Sequence, residues 1–406
     1  MKIRSITLGM AAEAGPGPAL EGTGPLLAAV AARYTDAGYE VQTTRVSFPP
    51  LVRLASPETD LSALVCAIDA AAAAAGVGYV ALGPVRWSDG AERAARLGSA
   101  LPAALAASER VFGSIETADA GGVCFEAVQA AADAIRALAD STEQGLGNFR
   151  FGALANCPPD VPFFPAAYHE AGRPAFSLAL QAADLAVRAF DRAETLDRAR
   201  ERLTAAVEAE LARLEQVAAA VEAELGLSYA GADPTLAPFP DDRESIGSAL
   251  ERLGGGRFGM AGTLTGAALV TRALRAVRGR RCGFAGLILP VLEDSVLARS
   301  ATDRLCSWQE LLLYSAVCGT GLDMLPLPGD VLSEELAAII LDVSTLAVTL
   351  GKPLTCRLLP VPGKVAGELT EFDSPFFANG GVLGVTGRGS AGLIRRGLAG
   401  QPGPGA

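Results

Sequence analysis

Residues 151–174, FGALANCPPDVPFFPAAYHEAGRP, begin as a short apolar strand and then break into a loop rich in proline and aromatic residues. The strand ends at Asn156 and Cys157, and the loop presents Tyr168, His169 and Glu170. In folds built from parallel strands the residues just past the strands' carboxyl ends form the binding face. His169 there suits acid–base work or a hydrogen bond to an anionic substrate. It suits equally well a structural ring that satisfies loop backbone.

Outward from this stretch the same unit recurs. Short apolar runs near 3–9, 41–48, 77–85, 110–118, 149–156, 256–262, 282–290 and 354–360 read as strands. Runs at helical spacing separate them near 18–37, 58–75, 90–107, 123–140, 176–225, 242–253, 263–278, 306–316 and 332–350. Repeated βα order implies an α/β fold with largely parallel strands. One large domain over 1–380 is expected, with 176–225 as a helical elaboration and 381–406 as a Gly-rich flexible tail. The segment 176–225 is too long for one helix of a compact domain, so a break near Phe190 to Thr195 is expected. Its second half would then project or lie along a neighbouring subunit, making a homo-oligomer the expected state.

Composition narrows the function classes. Half of the 406 residues are hydrophobic, enough for a large core. A net charge of -11 and the absence of a basic stripe argue against nucleic acid as a partner. Arginines beside glutamates, as in DRAETLDRARERL (191–203), read as solvated helix faces. No apolar span suggests a membrane helix and the start, MKIRSITLGM, reads as a strand, so a cytoplasmic location is expected. The 7 cysteines include no CxxC pair, which speaks against a disulfide framework or a zinc site. A formal GxGxxG at Gly387, Gly389 and Gly392 lacks the bracketing strand and the following acid, so no nucleotide-cofactor motif is present.

Other stretches break the βα rhythm with polar residues beside glycine or proline. In SAVCGTGLDMLPLPGD (315–330), Cys318, Thr320, Gly321 and Asp323 form an irregular turn, and Asp330 reads as a helix start. A thiol in a Gly-rich loop near a positive charge has the makings of a nucleophile, and Lys364 in PVPGK is the candidate charge opposite Asp323. A buried, packed thiol is the competing reading. Past Pro290, Glu293 and Asp294 are adjacent carboxylates; with Asp330 they are the candidate ligands of a divalent metal ion, against a capping role for Asp294. Asp233 precedes Pro234 and reads as a turn former. Glu116, at the end of the run 110–118, joins Asn156, Tyr168, Thr320, Gly321 and Lys364 as a candidate substrate contact.

The strings RFGALANCPPDVPFFPAAYHE, DPTLAPFP, GFAGLILPVLED, LLLYSAVCGTGLDMLPLPGD and RLLPVPGK, in that order, resemble the uncharacterised bacterial and archaeal family named domain of unknown function 711 (DUF711), over about residues 3–379. The resemblance implies a fold similar to pyruvate-formate-lyase-like proteins, a ten-stranded α/β barrel threaded by a cysteine-bearing finger loop. By position AVCGTGLD (316–323) would be that loop, with Cys318 near the barrel centre. The glycine-radical pattern of the fold's best-known enzymes has no counterpart in the tail GVTGRGSAG (384–392), so radical chemistry is not implied. Some relatives are encoded beside ACT-domain proteins, which points toward amino-acid or small-acid metabolism.

The resulting expectation is a non-radical enzyme acting on a small carboxylate-bearing metabolite, with Cys318, Asp323 and His169 as catalytic groups. The alternative is a non-catalytic metabolite sensor or accessory subunit.

Overall fold

Strands near 3–9, 41–48, 77–85, 110–118 and 149–156 lie close to where the apolar runs place them. The computed structural model describes residues 1–11, 15–56, 58–170, 172–191, 193–385 and 391–400. Its strands are β1 (Lys2–Gly9), β2 (Thr44–Pro50), β3 (Tyr79–Gly83), β4 (Val111–Asp119), β5 (Gly122–Val123), β6 (Phe151–Ala155), β7 (Ala175–Gln181), β8 (Ser228–Ala237), β9 (Gly321–Pro328) and β10 (Leu354–Val361). The helices are α1 (Pro16–Leu20), α2 (Thr23–Asp36), α3 (Leu61–Ala74), α4 (Ala91–Ala106), α5 (Phe125–Ser141), α6 (Ala183–Asp191), α7 (Leu196–Leu225), α8 (Ile246–Leu250), α9 (Thr263–Ala276), α10 (Ser295–Thr302), α11 (Trp308–Ser315), α12 (Ser333–Leu350) and α13 (Ala391–Gly400).

All ten strands belong to one mixed sheet, ordered β8-β7-β1-β2-β3-β4-β6-β10-β9 with β5 paired to β4. Five neighbours, β1, β2, β3, β4 and β6, are parallel. The pairs β7/β8 and β9/β10 are also parallel internally, and they join the five antiparallel, at β1/β7 and β6/β10. One end of the sheet therefore carries the amino ends of the first group and the carboxyl ends of the second.

The edges β8 and β9 are both met by the segment 281–291. It is the run expected as a strand near 282–290, yet it forms single parallel bridges, Ala232 with Arg281 and Pro290 with Asp323, in place of a ladder. The reason is local. The Asp233 carboxylate accepts from the amides of Phe284 (2.7 Å), Ala285 (3.0 Å) and Thr235 (3.0 Å), so a side chain takes the donors that a ladder would use. Ala285 is held at φ 46°, which kinks the segment.

Further expectations change, while the break expected near Phe190 to Thr195 is found. Residues 256–262 are turns, and the expected helix at 176–225 begins with β7. The break falls between Asp191 and Leu196, where Thr195 caps α7 by accepting from the Arg198 amide. Rather than projecting, α7 buries a face spaced by three or four residues, Ala199, Leu203, Val207, Leu211, Leu214, Ala218 and Val221, against α2, α6, α9 and β8. Within the Gly-rich end, Ala391–Gly400 is helical and packs on α5 and α12. Gly387 and Gly389 lie outside the described residues.

The loop that enters the concave side of the sheet is 157–169. Phe164 and Ala167 pack with Ala81 and Phe112 of the first strand group, while Phe163 and Ala166 pack with Ala179 and Ala237 of the second and with Phe284 of the segment 281–291. Ser5 donates to the Pro162 carbonyl at 3.3 Å. Gly152 of β6 leaves room for Pro165, which any Cβ there would strike.

Replacing Asp233 by Ala strands three buried amides, so Asp233→Ala should lower unfolding stability by about 3 kcal/mol in denaturant titration. Amide exchange should accelerate first at residues 284 and 285.

Candidate functional site

Arginine is an unusual residue for the concave side of a strand, and three strands place one there: Arg4 on β1, Arg45 on β2 and Arg357 on β10. With Glu293, Asp323, Thr320 and Thr355 they line a single chamber. Its remaining walls are apolar and largely aromatic, including Tyr79, Phe112, Phe149, Phe163, Phe164 and Phe284. The free space is small, about 40 Å³.

Four of the charges alternate. Arg4 pairs with Glu293, whose other oxygen receives Arg357 Nη2 at 2.9 Å; Arg357 Nε donates to Asp323 Oδ1 at 2.6 Å. Burial works to raise the Glu293 carboxyl, but the two guanidiniums overcome it and hold Glu293 below its ordinary range. Asp323 goes the other way: burial dominates, Arg357 opposes it incompletely, and the neighbouring Glu293 charge adds to the rise. Two carboxyls in one chamber are thus driven apart, Glu293 downward and Asp323 upward.

Arg45 has no carboxylate partner among the described residues. It is 8% exposed, its Nε donates to Thr43 Oγ1 at 2.9 Å, and its guanidinium lies 5.0 Å from the Phe164 ring centroid and 5.4 Å from that of Tyr79. Burial, followed by the nearby Arg4 charge, pushes its pKa down to about 9. Thr320 Oγ1 is also buried without a hydrogen-bond partner. Asp323 Oδ2 is likewise left without one, since Arg357 takes Oδ1. Uncommitted polar groups gathered on one small chamber make it the candidate ligand site.

The expected residues divide around this chamber. Asp323 and Thr320 line it, and so does Glu293. Cys318 does not: it is fully buried in the main core, where its Sγ accepts from the Gly321 amide at 3.3 Å. The turn around it is a capped helix end, with Lys352 donating to the carbonyls of Ser315 (2.9 Å) and Cys318. Gly321 is there for its φ of 98° and its close approach to the Thr355 carbonyl. The loop that lines the chamber is 157–169, through Phe163, Phe164, Pro165 and Ala166, and not the turn that carries Cys318. Lys364 pairs with Glu371 at 2.7 Å near the surface; Arg357 faces Asp323 in its place.

The candidate metal ligands are dispersed. Glu293 is neutralised by guanidiniums, and Asp330 is exposed in the turn before α12. Asp294 caps α10 through the amides of Val296 and Leu297, and it also holds Ser245 and the Ile246 amide at the start of α8. Among the described residues no three histidine, cysteine or acidic side chains converge to hold a metal ion.

His169 lies at the root of the threading loop. Its Nδ1 is 2.7 Å from Asp160 Oδ1 and its Nε2 3.0 Å from the Arg173 carbonyl, with Gly9 leaving no room for a Cβ beside the ring. Tyr168 donates to the Cys157 carbonyl at 2.9 Å, and Asn156, at φ 54°, donates to the Ala347 carbonyl at 3.1 Å. Arg86 ties Glu170 (2.6 Å) and Glu116 (3.5 Å) over the Tyr168 ring. Burial pushes Glu116 up to about 7 against the pull of Arg86.

Sequence reading missed Arg4, Arg45 and Arg357. The available signal was an arginine inside an otherwise apolar strand, as in LTCRLLPV (354–361), every residue of which is buried.

Two stability measurements follow. Arg357→Met leaves the buried Asp323 carboxylate uncompensated and Glu293 with Arg4 alone, and should cost about 3–5 kcal/mol, whereas Arg45→Met removes an unpaired buried cation and should leave stability unchanged or raise it by about 1–3 kcal/mol. For Glu116, a native pKa above the unfolded value means that the native state binds more protons between pH 4.5 and about 7, so stability falls as pH rises through that window. In Glu116→Gln that decline, about 3 kcal/mol at most, should disappear from paired denaturant titrations at pH 4.5 and 7.5.

Comparison with known proteins agrees with the resemblance read from the sequence. The family model described as Uncharacterised ACR (DUF711) matches residues 1–375. A UPF0210 protein of Pyrobaculum arsenaticum is 34% identical over 364 residues, covering 86% of this chain and 78% of its own. One from Pyrobaculum aerophilum is 32% identical, covering 95% and 87%, and one from Listeria innocua is 30% identical, covering 89% and 83%. Among the described residues no helix is long and apolar enough to cross a membrane. The chain belongs to the uncharacterised UPF0210/DUF711 family.

Proposed function

We propose that this protein is a non-radical enzyme that binds a small carboxylate-bearing metabolite in the chamber between Arg45, Thr320 and Asp323. The observation that carries the reading is Arg45, a buried guanidinium whose terminal nitrogens make no hydrogen bond among the described residues. A cation kept in that state lowers stability, and an arriving carboxylate accepts both terminal N–H groups side by side. Asp323 is the proton carrier: its Oδ2 is uncommitted and faces the chamber, and burial raises its carboxyl while Glu293 is held low. Glu293 remains charged and fixes Arg4 and Arg357, so the field around the substrate is set before it binds.

The sheet is read as a barrel, with 281–291 as the staple between its edges. In support, the Cys282 amide donates to the Ala232 carbonyl at 3.2 Å on β8, and the Val291 amide to the Asp323 carbonyl at 3.0 Å on β9. His169 acts as a clamp on the threading loop, and Cys318 as a packed thiol at the head of β9.

A sensor is the second reading, favoured by the absence of cysteine, histidine and lysine from the chamber lining. The two separate in one experiment. The protein is incubated in D2O with two- to four-carbon carboxylic acids, and NMR follows binding and C–H to C–D exchange or product formation. Exchange or turnover that is lost in Asp323→Asn while binding persists, and a loss of both in Arg45→Met, is the expected result. Binding without any reaction selects the sensor, and no binding at all overturns the chamber reading.

A further inference from the structure

The chamber's charge and hydrogen-bond inventory limits what accompanies the carboxylate. Its ionisable lining comprises three arginines and two acids, besides Tyr79. Both Glu293 oxygens are held by guanidiniums, and Asp323 Oδ1 is held by Arg357. Uncommitted beside them are the terminal fork of Arg45, the Thr320 hydroxyl and Asp323 Oδ2, together with Nε and Nη1 of Arg4 and the Tyr79 hydroxyl, so Asp323 Oδ2 is the one carboxylate oxygen left among the lining residues. The fork is flanked by the Tyr79 and Phe164 rings, which leave its nitrogens an edge rather than a face to present.

Resting on the carboxylate reading above, we infer that the chamber selects a short monocarboxylate whose second polar group is an uncharged oxygen, a hydroxyl or carbonyl, and rejects the ammonium counterpart. Three physical points support this. An ammonium carries three donors and no acceptor, and it would sit among three guanidiniums with a single uncommitted carboxylate oxygen to receive it. A hydroxyl or carbonyl oxygen instead accepts from Thr320. Either oxygen accepts from Asp323 when that carboxyl is protonated, and a hydroxyl also donates to it when ionised, so for a hydroxyl the pairing survives proton transfer. The free space of about 40 Å³ holds about three waters, or about 90 Å³ of liquid, which suits an acid of two or three carbons.

Glycolate and glycine form the deciding pair, being nearly isosteric and differing in hydroxyl against ammonium, with acetate as the probe that lacks both. Affinities are measured by calorimetry or NMR titration on the full chain. Glycolate should bind at least about tenfold tighter than glycine, with acetate between them. Thr320→Val should bring glycolate to within about twofold of acetate, and Arg45→Met should abolish binding of both, with thermal melts reporting whether each variant is folded. A variant that does not fold is replaced by Thr320→Ser or Arg45→Lys, for which a retained glycolate preference and a weakened carboxylate affinity, respectively, are expected. If glycine matches or exceeds glycolate while Arg45→Met still abolishes binding, the selectivity inference falls and the anion site stands. Should none of the three acids bind the wild-type protein, both fall together.

Discussion

Arg357 holds two carboxylates at once, and the charged lining of the chamber is arranged around that pair of contacts. Glu293 follows the segment 281–291, Asp323 is on the edge strand β9, and Arg4, beyond Glu293, is on β1. The alternating line therefore runs across the concave side from one strand group to the other. A single buried ion left alone is penalised by several kcal/mol. Alternation removes most of that penalty for four of the five charges, and the fifth, Arg45, is left to a ligand. The same line sets the protonation split, because Glu293 has two guanidiniums and Asp323 shares one.

Much of the fold was legible because apolar runs of five to nine residues between amphipathic helices leave little choice; β1 to β4, β6 and β10 fell near their expected places. The other strands hid for identifiable reasons. In β7, AFSLALQ, alanine and leucine lead straight into α6 and suggest helix. β8 contains Gly231 and Pro234, while β9 contains Pro326 and Pro328. Prolines demote a run to loop in a sequence reading, yet on an edge strand they remove donors that have no ladder to serve.

Less of the site was legible. Thr320, Asp323 and Glu293 were singled out because glycine and proline surrounded them, and that irregularity does mark the chamber's rim. Cys318 and His169 drew attention for the same reason, and the irregularity around them serves turns and loop anchoring. The arginines escaped because an arginine in a chain of 34 basic residues with only three lysines looks generic. Only three-dimensional pairing reveals that one of them lacks a counter-charge.

The order of strands has a consequence for synthesis on the ribosome. The first group of five parallel strands is complete in sequence by Ala155, but one of its outer edges waits for β7, which ends at Gln181, and the other waits for β10, which ends at Val361. For about 200 further residues, the nascent chain thus presents the apolar β6 edge with nothing to pair it, the kind of surface that recruits other strands. At chain growth of about 5–20 residues per second, that exposure lasts about ten seconds or more. The threading loop 157–169 follows β6 directly and packs on its inner face, making it the first element able to shield the strand before its permanent neighbour exists.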